Sequence, residues 1–215
     1  MLEQIYDLGG PLLLGAVTTV QITLAALVVA IVLGLGLALL KLSRLRLVHW
    51  LIDIYVEVFR NTPVLAQLFL IYFGLAYVGF KVASFPAAVI GLGLNGGAIL
   101  TEVFRAGFAA IHHGQREAAL AVGMTPWESM RHIILPQTWR ITLPPLGNYA
   151  IALLKDTAVV SAIAAPEIMF YARNLVTSTF ETTLVYVLAA LLYFVLSFPL
   201  ARLVERFERR QRAWL

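Results

Sequence analysis

Long apolar runs, separated by short polar segments, dominate this chain of 215 residues. A membrane-spanning helix needs about 20 consecutive, mainly apolar residues, and the first run, from Pro11 to Leu40, contains no charged residue at all. This pattern predicts an all-α integral membrane protein of about five transmembrane helices. We predict a single transmembrane domain, 1–215, with spans at about 12–40, 63–80, 85–110, 141–165 and 184–204.

One polar stretch, Glu117–Pro136, interrupts this pattern with the sequence EAALAVGMTPWESMRHIILP. Its spacing predicts a short helix that ends at Gly123 in a left-handed conformation. A second helix begins after Thr125, which forms a capping-box spacing with Glu128. We expect Pro136 to end this second helix. Along this second helix, Trp127, Met130 and Ile134 form a predicted apolar stripe. Such a stripe requires another surface to pack against.

Basic residues are concentrated in alternate polar segments. The loop at 41–49 and the loop at about 115–140 carry three Lys or Arg each, whereas the N-terminal segment before the first run has none. Lys and Arg are enriched in cytoplasmic loops, so we predict a periplasmic N-terminus and a cytoplasmic C-terminus. The segment 114–136, hereafter the 114–136 loop, is then cytoplasmic. The C-terminal tail is expected to contact lipid headgroups through Arg206, Arg209, Arg210 and Arg212.

Composition agrees with this assignment. The chain is 60% hydrophobic and 13% charged, whereas soluble domains are about 25% charged. We therefore interpret its net charge of +4 as a signal of membrane topology rather than of nucleic-acid binding. The first run is too long for the core of a signal peptide and has no basic residue before it, so we expect a retained span.

Polar groups inside the spans are the candidates for contact with a solute. An ionisable side chain at the centre of a spanning helix costs roughly 2.5–3.5 kcal/mol on insertion scales, which makes it a functional candidate. Asp156 lies about fifteen residues into the fourth span, where a carboxylate can pair with an ammonium or guanidinium group. The other candidate substrate-binding residues are Glu102, Gln67, Thr157, Ser161 and Lys155.

Each candidate also has a structural interpretation. Asp156 and Lys155 could form ion pairs that fix helix packing or a subunit contact, each with its own partner, because adjacent residues of a helix do not face each other. Glu102 and Arg105 have the spacing of a pair within one helix. Thr157, at helical spacing from Ser161, is expected to share a face with it. Two carboxylates within the spans favour a cationic or zwitterionic solute.

Several enzymatic and metal-binding sites are excluded or disfavoured by the sequence. No GxxxxGK[ST] phosphate loop is present, so we do not expect the chain to hydrolyse ATP. With no cysteine, disulfides and cysteine–metal sites are excluded. His112 and His113 are adjacent rather than at ligand spacing, and no Ser–His–Asp arrangement stands out. We predict no catalytic residue, no metal site and no cofactor in this chain.

The 114–136 loop resembles a known signature. EAA, three residues, Gly, nine residues, Ile, one residue and Leu-Pro are matched by Glu117, Ala118, Ala119, Gly123, Ile133, Leu135 and Pro136. This is similar to the EAA loop of permease subunits of ABC-type importers. Further segments resemble the permeases for His, Arg, Lys, Gln, Glu and opines. These segments are EVFRNTPVLAQLFLIYFGL (57–75), EVFRAG (102–107), GQREAA (114–119), LPPLGN (143–148) and LLKDT (153–157).

The resemblance implies a type I ABC importer permease fold in the bacterial inner membrane, as one subunit of a polar amino acid importer. It implies that the seven signature residues form a coupling helix that docks on an ATPase subunit dimer, and that those partners bind ATP and Mg. A second permease subunit, either the same chain or a paralogue, and a periplasmic amino-acid-binding protein are the other implied partners. Membrane lipid surrounds the spans, and no nucleic acid is involved.

Three alternatives stay open. Within the importer class, the solute could be an opine or a sulfur amino acid. An intramembrane enzyme would use Glu102 or Asp156 in acid–base chemistry, but it would leave the EAA pattern unexplained. A structural membrane subunit would need no polar residues inside its spans, and the fourth span argues against it.

Overall fold

The computed structural model describes residues 2–43 and 45–212, and within these ranges the chain is helical with no strand. Arg44 of the basic 41–49 loop lies outside the described residues, as do the side chains of Arg210 and Arg212. Eight helices are numbered here in chain order: α1 Leu2–Leu40, α2 Arg46–Asn61, α3 Val64–Tyr77, α4 Ser84–Ala109, α5 His113–Ala121, α6 Pro126–Ile163, α7 Ile168–Thr179 and α8 Thr182–Arg212.

Four of these helices are long and apolar enough to cross a membrane: Leu8–Leu40 within α1, Ser84–Ala109, Pro126–Ile163 and Thr182–Arg209 within α8. A fifth span requires α2 and α3 together, which are bent by 106° at a short break. The prediction of an all-α membrane fold with about five spans is confirmed, since the structure has four or five candidate spans.

Helices α1 and α4 form the centre of the bundle, where glycine lets the backbones approach closely. A Cβ atom at Gly34 of α1 would come within 2.7 Å of the Leu100 side chain of α4. The apolar core around this contact includes Ala30, Leu100 and Phe104. Helix α6 packs against both α4 and α1, and α8 packs on α6. The bundle therefore has α4 in its interior and α8 at its edge.

The expectation that Pro136 ends a helix is wrong, because α6 runs through it to Ile163. Met130–Ile134 forms a π-helical turn, in which the Leu135 N–H donates to the Met130 carbonyl five residues earlier. Proline removes a backbone donor from a helix interior and crowds the preceding turn. The π-turn is the kind of local change that lets such a helix continue.

The segment 166–181, between the predicted spans 141–165 and 184–204, contains a twelve-residue helix, α7. The Glu167 side chain caps α7 by accepting the Phe170 N–H at 2.8 Å. Glutamate is not among the residues usually preferred at this position, so the helix start gave no clear signal. Ile168 and Ala172 of α7 are buried against α1 and α8, which explains how tertiary packing stabilises a short helix.

Candidate functional site

Two closed turns build the 114–136 loop as a rigid unit. At the end of α5, the Met124 N–H donates to the Ala119 carbonyl and the Gly123 N–H donates to the Leu120 carbonyl. This is a Schellman motif, and it requires the positive φ of 84° that Gly123 adopts. The predicted capping box is also present. The Thr125 hydroxyl accepts the Glu128 N–H, and the Glu128 carboxylate accepts the Thr125 N–H.

The capping box also affects ionisation. Hydrogen bonds from the Thr125 backbone N–H and then from its hydroxyl hold the pKa of Glu128 below the ordinary value of a glutamate. The carboxylate side chain is therefore charged at neutral pH, beside the positive end of a helix dipole where a negative charge is favourable.

The predicted apolar stripe is divided between the interior and the surface. Ile134 is buried against Phe104 and Phe108 of α4, and Met130 packs beside it. Trp127 stays 70% exposed. Because a π-turn intervenes, the three residues do not present one continuous face. The exposed apolar patch of the loop instead comprises Leu120, Val122 and Trp127.

The seven signature residues divide in the same way. Ala119 is buried, and Ile133 and Leu135 are partly buried against the α4 core. Glu117, Ala118, Gly123 and Pro136 are exposed. Three of the seven signature residues are therefore buried or partly buried, two of them against the bundle, and the other four are available for contact with another molecule.

Glu102 lies in a charged network at the end of α4 near this loop. Its Oε2 accepts Arg105 Nη2 at 2.6 Å, and its Oε1 lies 3.5 Å from Lys41 Nζ. Lys41 also pairs with Asp53 of α2 at 2.5 Å. The structure thus shows the pairing with Arg105 that was one of the two interpretations from sequence. It adds Lys41 and Asp53, which join α1 and α2 to α4.

A cavity of about 580 Å³ opens beside Glu102, between α2, α4 and α6. Its lining is mainly apolar and includes Ile99, Ala106 and Pro145. The charged residues in the lining are Glu102 and Arg60. Arg60 is not among the candidates from sequence, and it stands directly before the Asn61–Pro63 break of the helical pattern.

Gln67 holds this break together. Its side-chain amide nitrogen donates to the Phe59 carbonyl at 2.9 Å and to the Thr62 hydroxyl at 2.7 Å. Asn95 of α4 donates to the same Phe59 carbonyl at 2.9 Å and to Gln67 Oε1 at 3.2 Å. These bonds satisfy a carbonyl that the broken helix leaves without a partner. The structure therefore gives Gln67 a structural environment, and the predicted solute contact stays a prediction.

Asp156 and Lys155 lie at the end of the α-helical part of α6, and both are exposed on the surface of the single chain. No ion pair within 4.0 Å involves either of them among the described residues. The sequence analysis gave a structural ion pair as the alternative role of each residue, and within the described part of this chain neither residue forms one. Their predicted contact with a solute stays a prediction.

Thr157 and Ser161 do not share a face as expected, because Thr157–Ile163 is a 3₁₀-helix. With three residues per turn, positions four apart are rotated by about 120°. Thr157 is fully buried and its hydroxyl donates to the Leu154 carbonyl at 2.7 Å, while the Ser161 hydroxyl donates to the Ala158 carbonyl at 2.8 Å. Both hydroxyl hydrogens are therefore used locally, and each oxygen keeps its capacity to accept.

The candidates occupy two levels of the bundle. Pro145 of α6 lines the same cavity as Glu102, and Asp156 follows eleven residues later, which at 1.5 Å per residue is roughly 16 Å along the helix. The structure therefore does not bring Asp156 and Glu102 together in one site. It places Glu102 on the side of the 114–136 loop and Asp156 deeper in the bundle.

Sequence analysis also missed a buried carboxylate, Glu167. Its side chain is fully buried, its Oε2 accepts the Tyr193 hydroxyl of α8 at 2.5 Å, and Oε1 accepts the Phe170 N–H. Thr19 of α1 accepts the neighbouring Ile168 N–H at 3.4 Å. Thr19 and Tyr193 each lie eleven residues after the start of a spanning segment, about 16 Å into the bundle. The available signal was an acidic residue two positions after the end of the predicted span at 141–165.

Comparison with known proteins places these features in a family context. Residues 30–213 match the family described as binding-protein-dependent transport system inner membrane component. The arginine transport system permease protein ArtQ of Bacillus subtilis (strain 168) is 35% identical over 93% of this chain and 91% of the relative. The glutamine transport system permease protein GlnP of Escherichia coli (strain K12) is 33% identical over 94% of both chains.

A solved structure is similar in both sequence and fold. A chain from the crystal structure of an amino acid ABC transporter with histidines is 35% identical and superimposes with a TM-score of 0.90, covering 96% of this chain and 97% of that one. A chain of the inward-facing MetNI methionine ABC transporter, at 21% identity and a TM-score of 0.70, shares the fold.

Proposed function

Since this chain belongs to the family of inner membrane components of binding-protein-dependent transport systems and is the permease component of an amino-acid ABC importer, we propose that it carries polar amino acids that are basic or zwitterionic. Relatives named for arginine and glutamine transport support this class. The amino acid crosses the membrane without covalent change, and a separate subunit hydrolyses ATP.

The observation that carries the proposal is the exposed Asp156 carboxylate within a spanning helix. Ionisable groups inside a membrane domain face an interior path or a partner, because lipid does not solvate them. Asp156 has no cation within 4.0 Å among the described residues. A negative charge in this position attracts the ammonium group of an amino acid or a cationic side chain, and it repels a substrate with a net negative charge.

The 114–136 loop transmits the movement of the ATPase in this proposal. Its exposed patch of Leu120, Val122 and Trp127 lies on a unit closed by a Schellman motif and a capping box. A unit with satisfied hydrogen bonds moves as a body when an ATPase subunit dimer closes on it. The signature residues Ile133 and Leu135, which pack against the α4 core, pass that movement to the bundle.

The assembly consists of two permease subunits, an ATPase dimer and a periplasmic binding protein in the inner membrane. The N-terminus is periplasmic and the C-terminus is cytoplasmic, which follows from the distribution of Lys and Arg. ATP-driven closure then converts the spans from inward-facing to outward-facing. Whether the second permease is this chain or a paralogue is decided by the mass of the purified complex.

The test is uptake by proteoliposomes that contain the purified permease–ATPase complex and its binding protein. Labelled L-arginine, L-histidine, L-glutamine, L-glutamate, L-cystine and an opine form the panel. Uptake of basic or neutral polar amino acids, but not of L-glutamate, is expected. Asp156→Asn is expected to lower uptake at least about tenfold, the effect of losing roughly 1.4 kcal/mol of charge interaction, while the complex stays assembled.

The matched control is Glu181→Gln, which removes a carboxylate from the exposed turn before α8. It is expected to leave uptake unchanged. If Asp156→Asn carries every amino acid of the panel at the normal rate, Asp156 is not in the path. Co-purification tests the loop separately. Gly123→Asp puts a side chain and a charge at the positive φ of 84°, and retention of the ATPase by this variant at the normal level would contradict the docking proposal.

A further inference from the structure

Arg60 is a charged residue of the bundle that the proposed transport scheme has not used. It directly follows Phe59, whose carbonyl binds Asn95 close to the middle of α4. Arg60 lines the cavity between α2, α4 and α6. Within the described residues it takes part in no salt bridge. An arginine at such depth faces a water-filled cavity or an interior path and marks a route for a charged solute.

The positive charge of Arg60 is not balanced by the other charges near this cavity. Lys41 and Arg105 are balanced by Asp53 and Glu102, and all four belong to one network of ion pairs. That network is neutral, so Arg60 contributes one uncompensated positive charge to the cavity wall. A guanidinium offers a planar fork of donors that matches a carboxylate, with two parallel hydrogen bonds.

The cavity has the size and lining of a small-molecule site. Its volume of about 580 Å³ falls within the roughly 300–1,000 Å³ typical of ligand pockets, which are mainly apolar with a few polar groups that orient the ligand. Arg60 and Glu102 stand in the same lining and have opposite charges. Glu102 is already paired with Arg105 and Lys41, but its Oε1 lies 3.5 Å from Lys41 Nζ, so this oxygen keeps capacity to accept from an ammonium group. A zwitterion fits this lining with its carboxylate at Arg60 and its ammonium at Glu102 Oε1.

We propose that this cavity is a second station for the transported amino acid, in which Arg60 holds the α-carboxylate and Glu102 faces the α-ammonium group. This rests on the proposed function as an amino-acid permease. Asp156 lies roughly 16 Å further along α6, so the two stations lie in succession, and the Arg60 station is the one on the side of the 114–136 loop. An amino acid released from Asp156 therefore meets Arg60 before it reaches the cytoplasm.

The experiment measures equilibrium binding to the purified permease–ATPase complex in lipid nanodiscs, without the binding protein, which has its own selectivity. The probes are L-arginine, L-histidine and L-glutamine, each compared with its α-amide, which lacks the carboxylate charge. The wild type is expected to prefer the acid over the amide. Arg60→Gln is expected to weaken binding of the acid about ten- to a hundredfold, which is the range for losing hydrogen bonds to a charged group, and to abolish the preference.

Two further variants distinguish a direct contact from a change in folding. Arg60→Lys keeps the charge and is expected to retain part of the preference for the acid. Arg46→Gln removes an arginine from the other end of the same helix, outside the cavity lining, and is expected to bind like the wild type. Gel filtration with the ATPase checks that each variant assembles.

The outcomes separate this inference from the proposed function. If the wild type transports the basic or neutral polar amino acids of the panel and Arg60→Gln keeps both the affinity and the preference for the acid, the Arg60 station is overturned and the permease function stands. If the wild-type complex with its binding protein transports none of the panel, the proposed function fails, and the inference that rests on it fails as well.

Discussion

Two carboxylates inside the helical bundle have opposite surroundings. Glu167 is fully buried, and each of its oxygens accepts a hydrogen bond, one from the α7 backbone and one from Tyr193. Glu102 is 24% exposed in its side chain, lies in a chain of ion pairs and borders a cavity of about 580 Å³. The first joins α7 to α8, and the second stands beside open space.

The difference separates structural from functional groups in a membrane domain. A buried polar group is costly unless its hydrogen bonds are made, and Glu167 meets that condition without any other molecule. Glu102 and Arg60, in contrast, both line the cavity. Arg60 has no ion-pair partner among the described residues, so its charge is not satisfied within that part of the chain. Changes at Glu167 should therefore affect stability, whereas changes at Glu102 should affect transport.

The largest expected effect on stability comes from Glu167→Ala. It leaves the Tyr193 hydroxyl and the Phe170 N–H without their acceptor in the interior, and an unsatisfied buried group costs about 1–3 kcal/mol. We expect a loss of about 2–6 kcal/mol in unfolding free energy, since two groups are affected. Urea unfolding of the complex in detergent measures this, with Glu181→Ala as the exposed control. If Glu167→Ala is as stable as the wild type, Glu167 does not have the structural role that distinguishes it from Glu102.

A smaller effect is expected from Tyr193→Phe, which removes one hydrogen-bond donor to Glu167 and keeps the ring. Interhelical hydrogen bonds in membrane proteins average about 0.6 kcal/mol, so the loss should be of that order. The combination with Glu167→Gln forms a double-mutant cycle. A coupling of about 0.5 kcal/mol or more is expected for residues in direct contact, and strict additivity would contradict the hydrogen bond.

Glu102→Gln should change transport more than stability. Partly exposed ion pairs contribute about 0–1 kcal/mol, so unfolding should shift by no more than that. The variant leaves Lys41 and Arg105 with Asp53 as their remaining anion, which raises the positive charge at the cavity. We expect the apparent affinity for a basic amino acid in uptake to fall about tenfold, corresponding to roughly 1.4 kcal/mol. An uptake curve identical to that of the wild type would show that the cavity is not on the path.

The smallest effect is expected at Glu128, a carboxylate on the surface. Hydrogen bonds from Thr125 lower its pKa from the ordinary value of 4.5, so its contribution to the capping box is present above pH 4.5 and is lost as the pH falls through the lowered pKa. Glu128→Gln should therefore be slightly less stable than the wild type at pH 7 and equal to it at strongly acidic pH. Thermal unfolding across this pH range checks the trend, and a difference that grows on acidification would contradict it.

Local sequence was sufficient for the parts of this protein that depend on neighbouring residues. The left-handed helix end at Gly123 and the capping box of Thr125 and Glu128 form from groups a few residues apart, and both are as predicted. The apolar runs likewise predicted the membrane fold, because lipid requires a helix of a certain length and composition. The EAA signature identified the family for the same reason, since all of its positions lie within one segment.

Contacts between distant segments could not be predicted from local sequence. Arg60 becomes a candidate because α4 and α6 form a cavity next to it. Glu167 becomes structural because Tyr193, 26 residues later, reaches it. Local helical periodicity also failed where a π-turn or a 3₁₀ segment replaced the α-helix, as at Met130–Ile134 and Thr157–Ile163.

The sequence by itself determined that this chain crosses a membrane as a bundle of about five helices and carries a closed polar loop that resembles a coupling helix. Those properties follow from hydrophobic length and from hydrogen bonds between near neighbours. Only the tertiary structure decided which polar residues of the spans are satisfied and which remain open. Whether a buried charge has a partner depends on helix packing across the bundle, and that packing separated Glu167 from Glu102 and brought Arg60 to the cavity.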